Sequence, residues 1–572
     1  MVARMAPGVE AMRVVWAELK RRHVIRMAVA YCALSWLLLQ VASLLIPTFD
    51  IPNWVMRLLV LMAVLGFPLA LLFSWSYAWT SAGLARETQA PRAGQPAATP
   101  AVSVANETPW AAAPTPATAS IAVLPLVNMS SDREQDYFSD GLSEELLNLL
   151  AQVPGLHVAG RTSSFSFKDK PTTIVEIGHA LNVANVLEGS VRKAGDRVRI
   201  TAQLVKVQDG YHLWSQTYDR EVTDIFAVQD EIAAAVVEAL RLRLLPAQQP
   251  TTAGHHVPGP EAYNHFLLGR QLLNRASEDG FRRAVQAFGQ ATALEPGYAA
   301  ALAGLALAEA YAADHTRSDA AMLAGRQRAS KVAEQAVACD PTLGEAYTAR
   351  AVLRFVFDLD WNGGDADFAQ ALVFNPGDVM THWQYSRLLA ALGRLPEALS
   401  AARLATQLDP LSAQAWEILA RYQLADGDIA GARQSLEHAL DIAPDHGRAP
   451  LGLGMAALLE GDAEGARLWY ARCNDDTFRL AGLAMVEHDR GADAESSRFM
   501  QALVTEHAHD SAYQIAGAFA WRGEHDAAFD WLQRAVSQHD AGLQYLKYDP
   551  ALRSLRDDPR YRELLLEIGL PP

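Results

Sequence analysis

Three prolines, Pro376, Pro410 and Pro444, stand 34 residues apart, and Pro341 and Pro296 precede them at steps of 35 and 45. The residues ahead of each proline repeat as well. Ala398, Ala402 and Ala405 lie 12, 8 and 5 residues before Pro410; Ala432, Leu436 and Ala439 keep the same offsets before Pro444, and Ala284, Phe288 and Ala291 before Pro296. Small residues there let two helices approach closely, the larger residue fills the gap, and the proline stops the second helix where the chain turns. A period of this length marks a two-helix unit stacked into an array. Beyond Pro444 the proline is lost, but Ala466, Tyr470 and Cys473, then Ala528, Leu532 and Ala535, keep the small-large-small pattern. The spacing therefore predicts an all-α array over residues 261–545, its repeat count open by one. A charged capping segment with Asp549-Pro550 and Asp558-Pro559 follows over 546–572.

These residues resemble the tetratricopeptide (TPR) family. The resemblance implies a superhelix in which the first helix of every repeat lines a groove for protein or peptide partners. Aligned by their prolines, the repeats put Trp383 and Arg387, then Gln414, Glu417 and Arg421, then Arg448, Leu451 and Met455 on that face. Arg387, Arg421 and Arg448 are expected to clamp a carboxylate or acidic motif. The alternative is salt bridging within the array, for example to Glu417.

A different texture fills residues 1–119. Residues 1–23 are basic, with Arg4, Arg13, Lys20, Arg21 and Arg22; an uncharged run, Met27 to Ile46, and a second from Trp54 to Trp79 with only Arg57 follow. Each is long enough, as a helix, to cross a bilayer. They predict a two-helix transmembrane hairpin over 24–79. The basic start places the N-terminus in the cytoplasm, and two crossings return the chain there. The expectation is thus a multi-pass protein of the inner (cytoplasmic) membrane, in contact with the lipid bilayer and with its soluble domains cytoplasmic. Residues 80–119, rich in Ala, Pro and Thr, read as a flexible linker.

From Ser120 the pattern is that of a compact α/β domain over 120–246. Ile121 to Val127 reads as a strand, and Leu142, Leu146, Leu149, Leu150 and Val153 as a helix. A strand near Leu156 and a helix over Ile174 to Leu181 follow. In the three-stranded meander beyond, Val198, Ile200, Ala202 and Leu204 alternate with polar residues. A helix from Val228 to Leu245 closes the domain, and 247–260 is a second linker. The segments IAVLPLVNMSSDREQDYFSDGLSEELLNLL, RTSSFSFK, VLEGSVRKAGDRVRITAQLV and HLWSQTYDREVTDIFAVQDEIA occur in that order. Together they resemble the TolB N-terminal-like (FlgO-like) domain of bacteria, and ELKRRHVIRMAVAY through LGFPLALLFSWSYAW looks like the membrane anchor of the same group. The resemblance implies a domain often followed by TPR repeats, and in some chains preceded by a class III adenylate cyclase or a winged-helix DNA-binding domain. Neither precedes the linker here, so no effector activity carries over.

Chemical motifs are sparse. There is no Gly-rich phosphate loop, GxSxG elbow, HExxH or CxxC pair. Glu506-His507-Ala508-His509-Asp510 is read as a loop, His255-His256 as linker, and Asp132, Asp136 and Asp140 as acids compensating a helix dipole. Arg192, Lys193, Arg197 and Arg199 read as charges that keep a strand soluble. The three cysteines, Cys32, Cys339 and Cys473, have no metal or disulfide spacing and read as small core residues. A net charge of -16 argues against nucleic acid as a partner. The sequence thus predicts an α plus α/β chain: membrane hairpin, small α/β domain and TPR superhelix. It reads as a non-enzymatic membrane-anchored adaptor or scaffold without cofactor or metal. The alternative is a regulatory or sensory subunit of a separate effector, a cyclase or transcription regulator, with a ligand in the α/β domain. The oligomeric state stays open.

Overall fold

The computed structural model describes residues 77–80, 83–86, 119–130, 136–195, 197–241, 258–316 and 319–572. Residues 1–108 and 109–572 form two compact units. In the first, β1 (Tyr77–Thr80) pairs antiparallel with β2 (Gly83–Arg86). This corrects the membrane hairpin: the end of the expected second span is a strand, and no helix among the described residues is long and apolar enough to cross a membrane. The hydropathy of Trp54 to Trp79 had suggested a helix, whereas the aromatic and β-branched residues Tyr77, Trp79 and Thr80 favour an extended chain. The multi-pass inner-membrane location falls with the hairpin. The rest of the two expected spans lies outside the described residues, as do Cys32, Asp132 and His255-His256.

The second unit begins with a six-stranded sheet of order β5-β3-β6-β7-β8, where β3 is Ser120–Val123, β4 Val127–Asn128, β5 His157–Val158, β6 Asn185–Ala194, β7 Arg197–Lys206 and β8 His212–Glu221. β3 runs parallel to β5 and β6, β4 continues alongside β6, and β6, β7 and β8 form the antiparallel meander. Two helices cover one face. Leu142, Leu146 and Leu150 of α1 (Asp136–Ala151) recur every fourth residue, as do Val228, Ile232 and Val236 of α4 (Ile225–Arg241), and all six are fully buried against Val198, Ile200, Ala202 and Leu204 of β7. The other face is covered by α3 (Ile174–Ala180), begun by a capping box between Thr173 and Glu176. Between them lies α2 (Arg161–Phe165), which sequence periodicity did not show.

Seventeen helices follow among the described residues, and the first sixteen pair into eight hairpins. They are α5 (Pro260–Leu273) with α6 (Glu278–Leu294), α7 (Ala299–Asp314) with α8 (Asp319–Cys339), α9 (Gly344–Val356) with α10 (Trp361–Phe374), and α11 (Val379–Ala391) with α12 (Leu395–Leu408). Next come α13 (Ala413–Asp426) with α14 (Ile429–Ile442), α15 (Ala449–Glu460) with α16 (Ala463–Tyr470), α17 (Asp476–Asp489) with α18 (Asp493–His507), and α19 (Ala512–Trp521) with α20 (His525–Gln538). The small-large-small residues are the hinge of each pair. Ala432, Leu436 and Ala439, Ala466 and Tyr470, and Ala528, Leu532 and Ala535 are all buried. Tyr470 shows why: a Cβ on Gly454 or Gly482, on the helices flanking it, would lie 2.7 or 2.0 Å from its ring. The ring fills space that only glycine leaves. Cys473 is buried as expected, whereas Cys339, at the end of α8, is exposed.

The α/β domain does not hang free of the array. A single core runs from Leu142 and Val236 into Tyr263, Phe266 and Phe288 of the first hairpin, and a Cβ on Gly141 would lie 2.5 Å from Leu267. A second contact uses the turns that the periodic prolines shape. Gly160 N–H donates to the Leu408 carbonyl (2.6 Å), Ser163 N–H to the Asp409 carboxylate (2.7 Å), and Leu411 N–H to the Ser163 hydroxyl (2.8 Å). Gly377 N–H reaches the Ala151 carbonyl one turn earlier in the array (3.2 Å). Between these contacts Arg270 faces Glu144, Glu145 and Glu345. Burial, only partly offset by Arg270, pushes the Glu145 carboxyl up to about 7.

Candidate functional site

The first helices of the hairpins, α9, α11, α13, α15, α17 and α19, form one continuous face, and the chain beyond α20 returns along it. His539 turns the chain at φ 53°, and two 3₁₀ turns (Ala541–Tyr545 and Pro550–Leu555) and α21 (Pro559–Glu567) follow. The capping segment was expected to cover the last apolar face. It does more, sharing a core with the middle of the array: Leu543, Leu546, Leu552, Leu564 and Ile568 pack with Val352, Phe355, Trp361, Leu388 and Ala391. Trp361 donates its indole N–H to the Ile568 carbonyl at 2.7 Å, and the Lys547 ammonium donates to the Leu392 carbonyl at 3.2 Å.

The eight residues expected on the groove face divide by their contacts with this segment. Arg387 donates to Gln384 Oε1 and to Gln544 Oε1, both at 2.7 Å, with its guanidinium over the rings of Phe355 and Trp383. Arg421 pairs with Glu417 at 2.5 Å and stacks over Tyr545 at 5.0 Å. That is the bridge foreseen as the alternative to a ligand clamp. Gln414, exposed, donates to Glu417 at 3.2 Å. Arg448 is exposed, its guanidinium 5.6 Å from the Phe478 ring, with no ion-pair partner among the described residues. Leu451 and Met455 are half-buried next to it. Glu417, Arg421, Arg448, Leu451 and Met455 share one cavity of about 150 Å³, whereas Trp383, Arg387 and Gln414 lie outside it.

Electrostatics on this face are dominated by the arginines. Burial alone would raise the Glu417 carboxyl, but Arg421 and Arg448 outweigh it and hold it below its ordinary value. Burial would likewise raise the Tyr545 phenol, yet Arg421, Arg387 and Arg448 pull it down to about 8. Sequence reasoning did not point to Tyr545, Tyr548 and Gln544 opposite the array, nor to Gln514 beneath, and marked Tyr470 only as the large residue of a repeat. The tyrosine pair three residues apart in an otherwise charged segment was the available signal.

The other sequence candidates are tied into the structure. Ligand atoms of Asp476, Glu506 and His507 lie within 4.8 Å of one another. Both His507 ring nitrogens already have partners, Thr477 Oγ1 at 3.2 Å and Asp476 Oδ2 at 3.4 Å. Asp140 pairs with Lys168 at 2.6 Å and Asp136 accepts from Asn128. Arg197 and Arg199 both pair with Asp219, Lys193 lies over the Phe138 ring, and Arg192 donates to the Met129 carbonyl.

The chain is 42% identical over 192 residues to putative adenylate cyclase 3 of Rhizobium meliloti (strain 1021), which covers 34% of this chain and 33% of that protein. It is 37% identical over 75 residues to tetratricopeptide repeat protein 33 of Mus musculus, covering 13% of this chain and 29% of that protein. The chain thus spans about a third of the length of the curated relatives it matches. A solved structure of Pseudomonas aeruginosa PilF covers 32% of this chain and 86% of its own at 18% identity and a TM-score of 0.29. Residues 423–477, from the end of α13 to the start of α17, match the tetratricopeptide repeat family.

Proposed function

We propose that the protein is a non-enzymatic scaffold that binds protein or peptide partners on the first-helix face of its array. The carrying observation is that this face accommodates a peptide segment already, its own residues 541–548, through Arg387–Gln544 and Arg421–Tyr545. A partner therefore meets the part left open, Gln414, Arg448, Leu451 and Met455, or competes with the segment. Arg448 supplies the unpaired charge there, so an acidic or carboxylate-bearing peptide is the favoured class. The α/β domain, with its four ordered motifs and six-stranded sheet, is read as TolB N-terminal-like and serves as a rigid platform docked on the repeat turns. Photo-crosslinking from position 414 or 448 in the full chain tests this reading against the exposed Glu437 on α14. Partners captured at 414 or 448 and not at 437 support it; equal capture at all three contradicts it.

A second reading has its own support. The relative sharing 42% identity over 192 residues carries the name putative adenylate cyclase. On that reading this chain regulates a separately encoded effector. Co-expression with a cyclase catalytic domain would then change cyclic-nucleotide output.

A further inference from the structure

The start of α17 and the end of α18 lie side by side, at the end of the hairpin away from the turn that joins the two helices. Asp476 opens α17, and Glu506 and His507 close α18. A carboxylate oxygen of each acid and a ring nitrogen of His507 lie within 4.8 Å of one another. The hydrogen bonds behind the ring decide which nitrogen carries the proton. Ser511 Oγ donates to the Asp510 carboxylate at 2.9 Å, which uses its only proton. Thr477 Oγ1, 3.4 Å from Ser511 Oγ, is therefore the donor of that pair. With its own proton spent, Thr477 accepts from His507 Nδ1–H at 3.2 Å. Thr477 and Ser511 are buried, so this relay is the assignment that leaves each hydroxyl satisfied.

The relay puts the proton of the neutral imidazole on Nδ1, with Asp510 Oδ1 at 4.0 Å. Nε2 keeps its lone pair and faces Asp476 Oδ2 at 3.4 Å. A lone pair and a carboxylate oxygen so placed repel each other unless a cation lies between them. The other oxygen of Asp476 is taken by Arg479, which holds the carboxylate in place.

We infer that Asp476, Glu506 and His507 bind a divalent zinc ion. Two donors at about 2.0–2.1 Å from a tetrahedral zinc lie about 3.3 Å apart, and Nε2 and Asp476 Oδ2 already stand at 3.4 Å. Glu506 is exposed and closes the remaining distance by rotating its side chain. One imidazole with two carboxylates suits zinc, and a ligating histidine has its other N–H held by a hydrogen bond, as Thr477 holds this one. Three protein ligands leave a fourth position for water. The ion staples the open end of the hairpin and so fixes α17, whose Phe478 and Met485 line the cavity beside Arg448.

The test uses the full chain, stripped with a chelator and titrated calorimetrically with zinc chloride at about pH 8, above the ordinary imidazole range. Magnesium chloride is the control. One zinc site and a raised melting temperature are expected, and magnesium gives neither. His507→Ala and Asp476→Asn abolish the site, and Thr477→Val, which strips the Nδ1–H of its acceptor, weakens it about tenfold. His509→Ala, at the exposed neighbouring histidine, leaves it unchanged. Should His507→Ala fail to fold, Glu506→Gln, an exposed change, carries the same comparison. Absence of zinc binding overturns the inference, as does binding that survives His507→Ala and Asp476→Asn or falls equally with His509→Ala.

Discussion

The guanidinium of Arg387 on α11 donates at 2.7 Å to the side-chain carbonyl of Gln544, 157 residues further along the chain. With Arg421 over Tyr545 it fastens the C-terminal segment to the face that the repeat pattern marks out for partners. The face proposed for partners and its intramolecular occupant thus meet at the same arginines. A partner that uses Arg387 or Arg421 must first exchange a contact, whereas one that uses Arg448 need not.

That difference predicts unequal mutational costs. Arg421→Glu leaves Glu417, 4% exposed, facing a like charge, and should cost on the order of 3–5 kcal/mol. Arg448→Glu alters an exposed residue that acts on Glu417 without an ion-pair contact and should cost less, about 1 kcal/mol. Urea unfolding of the two variants measures both. Equal costs would mean that the Arg421–Glu417 pair does not hold the structure.

Tyr545 gives the face a pH signature. Its phenol is lowered to about 8 by Arg421, Arg387 and Arg448, against the burial and the Glu417 charge that would raise it. The folded state therefore binds the tyrosine proton more weakly than the unfolded chain, where the phenol titrates near 10. Its contribution to stability is present above about pH 10 and lost as pH falls through about 8. A spectroscopic tyrosinate titration should show one phenol ionising near pH 8, and Tyr545→Phe should remove it.

The domain interface titrates in the opposite sense. Burial raises the Glu145 carboxyl to about 7, so the folded state holds this proton more tightly and the group's stabilising contribution fades as pH rises from about 4.5 to 7. Glu145→Gln should flatten that part of the stability-versus-pH curve. An unchanged slope in urea titrations at stepped pH would assign the proton to another group.

Asp409 holds the α/β domain to the array through the Ser163 amide. Asp409→Ala leaves that buried donor unpaired, at a cost of about 1–3 kcal/mol. Faster hydrogen exchange at residues 160–168, with the array helices unchanged, is the expected readout.

How much of this was legible varies with the range of the interaction. Local periodicity carried the array: Ala432, Leu436 and Ala439 announce a helix pair because their spacing and the packing share one period. The alternation of Val198, Ile200, Ala202 and Leu204 likewise announced β7. Hydropathy misled at the end of the run from Trp54 to Trp79, because an apolar run reads as a helix whether or not its end, Tyr77 to Thr80, is extended. The docking of Gly160 and Ser163 on Leu408 and Asp409 joins residues some 246 positions apart through polar contacts with no periodic trace. The cavity was half legible: Glu417, Arg421, Arg448, Leu451 and Met455 follow from repeat alignment, but Tyr470, Gln514 and Tyr548 come together only once residues 541–555 fold back.

Hydrogen exchange across residues 541–555 in the full chain tests the central claim, that the first-helix face is occupied from within. The account predicts that the amides of Leu543, Leu546 and Leu552 are protected as strongly as those of α11, because they share one core. Free exchange in this segment, with α11 and α13 still protected, would contradict it and leave the whole face open to partners.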